Sequence, residues 1–180
     1  MNSKIISIAK NKFKSYLKEK EILDIIIFGS AIKGKALPED IDIAIISDTD
    51  IKVNIYGFHI SVIKPKNFFV NPPSITTTIL KEGYSLKHNK FLSETYGFSN
   101  RVMFIYDLSG LNSSNKVKSV NVLRGKKREL GLVKENKGEW LANRVFIIPV
   151  DCEKLFEKFF INFKIKYVFT KILKVSGFFK

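Results

Sequence analysis

Ile25-Ile26-Ile27-Phe28-Gly29-Ser30, then nine residues, then Asp40-Ile41-Asp42-Ile43-Ala44-Ile45-Ile46: the reading of this stretch decides the fold. The first run is apolar and stops at a glycine, which predicts a buried strand over 23–28. The second alternates and then turns apolar, which predicts another strand over 40–46. Residues two apart on a strand point to one side, so Asp40 and Asp42 present two carboxylates together. Two like charges side by side are costly unless a cation neutralises them. Hard oxygen donors suit Mg²⁺ (or Mn²⁺), with substrate phosphates and water as the remaining ligands. Gly29 lets the backbone approach a bulky anion. Ser30 adds a hydroxyl and an N–H that donate to phosphate. Together these are the parts of a metal-triphosphate site suited to nucleotidyl transfer from an NTP.

Outward from this core the chain reads as α+β. Ser3 opens an amphipathic helix over 3–20, with Ile5, Ile8 and Phe13 near helical spacing. Residues 30–39, which hold Gly34 and Pro38, read as a loop or a short helix. Residues 52–56 and 58–63 predict a hairpin about Gly57. After Pro72-Pro73, Ser74 starts a short helix that runs through Leu80. The polar tract 88–100, with Gly97 and Ser99, marks the expected boundary between a domain of residues 1–95 and one of residues 96–180. The second domain predicts a strand over 101–108 and a helix over 113–124, opened by Ser113-Ser114 and closed by Gly125. A strand pair over 130–134 and 143–150 follows, then a helix over 152–163 capped by Asp151, then a strand over 165–175. That βαββαβ order is the ferredoxin-like pattern.

At the Gly-Ser turn and the acid pair, the sequence resembles the DNA polymerase beta superfamily of nucleotidyltransferases in its minimal form. The shared signature is a hydrophobic strand, Gly-Ser, and then Asp-hydrophobic-Asp-hydrophobic at this distance. Pro38 and the segment Ile79-Leu80-Lys81-Glu82-Gly83-Tyr84 also resemble the minimal members, so the likeness covers roughly residues 20–90. It implies a small mixed sheet with helices, with Gly29 and Ser30 on the nucleotide phosphates and Asp40 and Asp42 on the metal ions. It also implies a third carboxylate on a later strand, which helps activate the attacking hydroxyl. The matching strand here is Phe58-His59-Ile60-Ser61-Val62-Ile63, which offers His59 and Ser61 and no acid. Either Asp48, Asp50 or Glu82 substitutes, or catalysis is weakened. Neutral His59 can take part of the catalytic role, or serve simply as a strand residue.

The formal net charge is +14, which predicts a polyanionic partner, RNA or DNA or an anionic surface, unless it is only a lysine-rich solvated exterior. Residues 1–95 carry 14 Lys and Arg against 10 Asp and Glu, and residues 96–180 carry 17 against 7, so the excess lies in the second half. Its densest cluster is Arg124-Gly125-Lys126-Lys127-Arg128. Arg124, Lys126, Lys127 and Arg128 read as a nucleic-acid-binding patch, or as cations complementing a helix C-terminus. Trp140, Tyr106 and Phe146 stack on bases if exposed and belong to the core if not.

The lone Cys152 excludes an internal disulfide and a cysteine zinc site. No apolar run reaches membrane-spanning length, and lysines break the opening segment too early for a signal peptide. The expectation is a soluble, cytoplasmic protein with no membrane partner. Two functions compete. One is a metal-dependent transferase moving a nucleoside monophosphate from an NTP to an acceptor, plausibly nucleic acid. The other is an impaired member of the same fold, acting as a nucleic-acid-binding or antitoxin-like regulatory module with a protein partner.

Overall fold

The computed structural model describes residues 3–33, 40–127 and 129–176. They form a mixed α and β structure with two sheets. The chain divides into two compact units: residues up to Ser99, rejoined at Val175, and Asn100–Lys174.

The first unit contains α1 (Ser3–Lys12), β1 (Ile22–Phe28), β2 (Ile41–Ser47), β3 (Phe58–Ile63), α2 (Pro65–Phe69), α3 (Ile75–Glu82), β4 (Tyr84–Ser85) and β5 (Lys90–Phe91). The sheet order is β3-β2-β1-β4-β5, with β1 antiparallel to β2 and β4, and β2 parallel to β3. Register pairs Phe28 with Asp42 and Asp42 with His59. On that face Ile26, Phe28, Ala44, Ile46 and Ile63 pack against Phe68 of α2 and Ile79 of α3. Ile25, Ile27, Ile43 and Ile45 are fully buried on the other face. There Phe58 meets the Phe13 ring edge-on at 5.3 Å. Both faces being covered explains why β1 and β2 read as nearly continuous apolar runs.

Three expectations for this unit need correction. The first helix stops at Lys12, and the chain turns through a 3₁₀ segment at Tyr16–Lys18. Residues 52–56 are not a strand, and β3 is no hairpin arm: it runs parallel to β2. Gly57, at φ +81, swings the chain so that its carbonyl accepts from Ile41 N at 3.2 Å. Residues 48–57 therefore run back along β2 as the crossover that a parallel pair requires. Ser74 precedes α3 without a side-chain capping bond.

The second unit contains most of β6 (Phe98–Asp107), then α4 (Ser113–Arg124), α5 (Leu132–Glu135), β7 (Glu139–Ala142), β8 (Val145–Pro149), α6 (Glu153–Asn162) and β9 (Lys166–Val175). The sheet order is β7-β8-β6-β9, with β8 antiparallel to both β6 and β7. Phe104, Phe146, Phe156 and Phe160 are fully buried and pack ring to ring. Tyr106 and Phe146 are therefore core residues and not stacking platforms.

Residues 130–134 are not a strand. Gly131 lies so close to the backbone of Leu123, Arg124 and Gly125 that no Cβ fits, and the chain then coils into α5. The partner of β8 is β7. Asn112, not Ser113, caps α4, accepting from Asn115 N at 2.9 Å. Asp151 sits in a 3₁₀ turn before α6, and Cys152 is the residue at the cap position.

Candidate active site

Gly29 ends β1 with φ +73. A Cβ built there would overlap the Asp42 carboxylate, with Asp42 Cγ only 3.3 Å away. Only glycine allows the turn to close onto Asp42 in this way. Gly29–Ala31 form one 3₁₀ turn, closed by Ile32 N donating to Gly29 O at 3.3 Å, and the half-buried Ser30 lies within it.

Asp42 is the second residue of β2, and its side chain is 33% exposed. Its neighbour across the parallel pair is His59, 71% exposed, whose Nδ1 lies 3.3 Å from Asp42 Oδ1. Asp40 is an exposed bend residue two positions before Asp42. The structure thus brings Gly29, Asp42 and His59 to one strand end, with Ser30 and Asp40 beside them in sequence. Pro38 and Gly34 lie outside the described residues.

Neither Asp48 nor Asp50, two of the proposed substitutes for a third acid, joins this group. Asp48 follows the far end of β2, about 20 Å along the strand from Asp42 at about 3.3 Å per residue. Asp50 is an exposed partner of Lys64, with Nζ to Oδ2 at 3.0 Å. Glu82 is buried at the end of α3 and pairs with Lys33 Nζ at 3.5 Å. That pair was not singled out in the sequence, yet it ties α3 to the segment just after the Gly-Ser turn. Its signal was a cation three residues past Ser30 and an acid closing an apolar helix. Among the described residues no three His, Cys, Asp or Glu side chains form a ready-made metal cage.

Residues 11–92 match the family model described as polymerase beta, nucleotidyltransferase. The first unit carries a polymerase beta-type nucleotidyltransferase domain. The chain has no significant match among curated proteins or solved structures. The nucleotidyltransferase domain points to a function of the nucleotidyl-transfer type, and the Gly29-Ser30 turn and both aspartates fall within the matched residues.

In the second unit the basic cluster divides. The Arg124 guanidinium lies over the Trp140 ring, 3.9 Å from its centroid, and donates to Asn143 O at 2.6 Å. Lys126 and Lys127 are exposed in the loop after α4. Arg128 lies outside the described residues. No helix among the described residues is long and apolar enough to cross a membrane.

Proposed function

We propose that this chain is a metal-dependent nucleotidyltransferase that moves a nucleoside monophosphate from an NTP to an acceptor, with a nucleic acid as the favoured acceptor class. The observation that carries the reading is Asp42, held at the strand end against Gly29 and in register with His59. In this reading Asp40 and Asp42 hold Mg²⁺ or Mn²⁺, and Gly29 and Ser30 contact the triphosphate. The donor set fits such an ion, because Mg²⁺ is commonly held by one or two carboxylates plus substrate phosphates rather than by an all-protein cage. When bound, the ion supplies charge stabilisation to the leaving pyrophosphate. Asp42 anchors the triphosphate side, while His59, one strand further out, faces the acceptor side and accepts its proton only when neutral.

The second unit is read as ferredoxin-like, supported by its βαββαβ order and by the placement of β6 between β8 and β9. Lys126 and Lys127, with Arg128 beside them in sequence, are read as its phosphate contacts. The lone cysteine agrees with a cytoplasmic setting.

One observation favours the second reading, an impaired enzyme acting as a binding or regulatory module. The position where the family resemblance expects a third acid holds His59. Titration calorimetry with ATP, GTP, CTP and UTP, with and without Mg²⁺, tests the main reading. Binding that needs the ion and disappears in Asp40→Ala/Asp42→Ala supports it. Equal binding without the ion, or in the double variant, rejects it.

A further inference from the structure

Glu82 ends α3 with its side chain 1% exposed, and its carboxylate meets Lys33 Nζ at 3.5 Å. Two local conditions disfavour a carboxylate there. Burial strips its hydration, and the C-terminal end of a helix already carries partial negative charge. A buried ion pair also adds little net stability over apolar side chains of similar volume. What the two ends of the pair hold explains it better.

The Glu82 end is fixed to the sheet. Gly83 lies so close to Ile79 O and to Ile26 Cγ2 that no Cβ fits, and Tyr84 pairs with Ile27. Glu82 therefore stands at a junction tied to β1 just ahead of Gly29. The other end is Lys33, three residues beyond Ser30. Between the two anchors the chain makes the Gly29–Ala31 turn, whose closing bond from Ile32 N to Gly29 O is 3.3 Å. Hydrogen bonds of 3₁₀ turns have poor geometry, so the turn holds itself weakly. Buried Ala31 and Ile32 anchor it from inside, but apolar contact is non-directional. We propose that the Lys33–Glu82 pair clamps the Gly29-Ser30 turn in the shape that receives the triphosphate, and that Glu82 is a positioning residue of the NTP site. The inference rests on the reading of that turn as a triphosphate contact and deepens it.

The test compares the full chain with Glu82→Gln, which keeps the shape and removes one charge, and with Lys33→Met/Glu82→Leu, which replaces the pair by apolar side chains. Amide hydrogen exchange followed by NMR reads the turn with no nucleotide present. The Ile32 amide should exchange at least about tenfold faster in both variants, while the amides of the β1–β2 ladder keep their wild-type rates. By calorimetry, ATP with Mg²⁺ should bind both variants at least about tenfold more weakly, the lower end of the range over which supporting partners tune a site. The urea midpoint of the double variant should stay near that of the wild type, which separates a clamp from a pair that holds the fold. Glu82→Gln also frees the Lys33 charge, so tighter ATP binding there would make Lys33 a direct phosphate contact and overturn the clamp. Wild-type exchange at Ile32, exchange rising equally in the β1–β2 ladder, or unchanged ATP affinity in the variants overturns it too. Should the double variant not fold, Glu82→Gln carries both readings alone. A wild type that binds no NTP rejects the underlying reading instead, and the Ile32 exchange then decides the clamp by itself.

Discussion

Asp42 has a glycine on one side and an imidazole on the other, and each neighbour sets a separate constraint. Gly29→Ala must relieve both a left-handed backbone, at φ +73, and the overlap of its Cβ with the Asp42 carboxylate. Strained backbone alone costs about 1–3 kcal/mol. The expected outcome is a stability loss of that order in urea titration, together with weakened NTP binding. Unchanged stability and unchanged binding would show that the turn opens freely away from Asp42. A different aspartate supports the fold. Buried Asp24 accepts from Ser85 Oγ and from Ile25 N, each at 2.8 Å, and Ser85 Oγ accepts from His88 N at 2.9 Å. Burial raises its carboxyl pKa above the usual 3.8, against the opposing pull of the Ser85 hydrogen bond. The folded state therefore holds this proton more tightly than the unfolded state. Its contribution to stability is full below 3.8 and falls as pH rises to the raised folded value, then stays level. Asp24→Asn keeps an acceptor and removes the titration. Relative to the variant, the wild type should lose stability across that window when both are unfolded in urea at a series of pH values. Parallel curves would mean that Asp24 ionises as easily folded as unfolded.

At the scale of elements, the end of α4 separates two roles within one basic run. Arg124 is spent on Trp140 and Asn143, so its removal should cost stability rather than nucleic-acid affinity. A cation–π contact is worth about 0.5–2 kcal/mol. Arg124→Ala should lose about that much, read through the fluorescence of the single tryptophan. Replacing Lys126, Lys127 and Arg128 with alanine should leave stability intact and lower the salt slope of RNA binding by roughly 0.7–0.9 per lost contact. An unchanged slope returns those cations to a helix-end role. The sequence made β1, β2 and α6 legible because each carries a strong period or apolar run, and α4 because Ser113-Ser114 and Gly125 bound it. It misled where local signals compete with the tertiary frame. Gly57 looks like a hairpin tip, yet it launches a parallel strand. Residues 130–134 carry three apolar side chains and a glycine, but Gly131 is needed for close backbone contact and the segment coils. At the candidate site, the meeting of the Gly29 turn with Asp42 was legible from spacing, whereas the acid expected at His59 came only from the family resemblance. The Lys33–Glu82 pair was not, because residues so far apart in sequence meet only once α3 folds onto the sheet.

For the whole molecule the open question is turnover. In the proposed reading, the net charge of +14 brings an acceptor of nucleic-acid type close. The Gly29–Asp42 end holds the donor in the proposed reading, so binding and chemistry are separable. In that reading the aspartate pair serves the triphosphate, whereas the group at the position of His59 serves the attacking hydroxyl. Substituting imidazole for carboxylate there should therefore leave NTP binding largely intact and slow the transfer. General-base assistance is typically worth about 10²–10⁴ in rate, which bounds the deficit. With Mg²⁺, the wild type should bind NTP and label RNA, DNA or protein acceptors slowly or not at all. His59→Asp restores an acceptor-side base, so its Mg²⁺-supported labelling should exceed that of the wild type. The two strands are in register and His59 is largely exposed, so the variant carries little folding risk. Labelled NTPs with mixed acceptors, followed by gel separation, measure both outcomes. Fast wild-type labelling in Mg²⁺ that His59→Asp abolishes would show that the imidazole is the working base and that no carboxylate is wanted at this strand position.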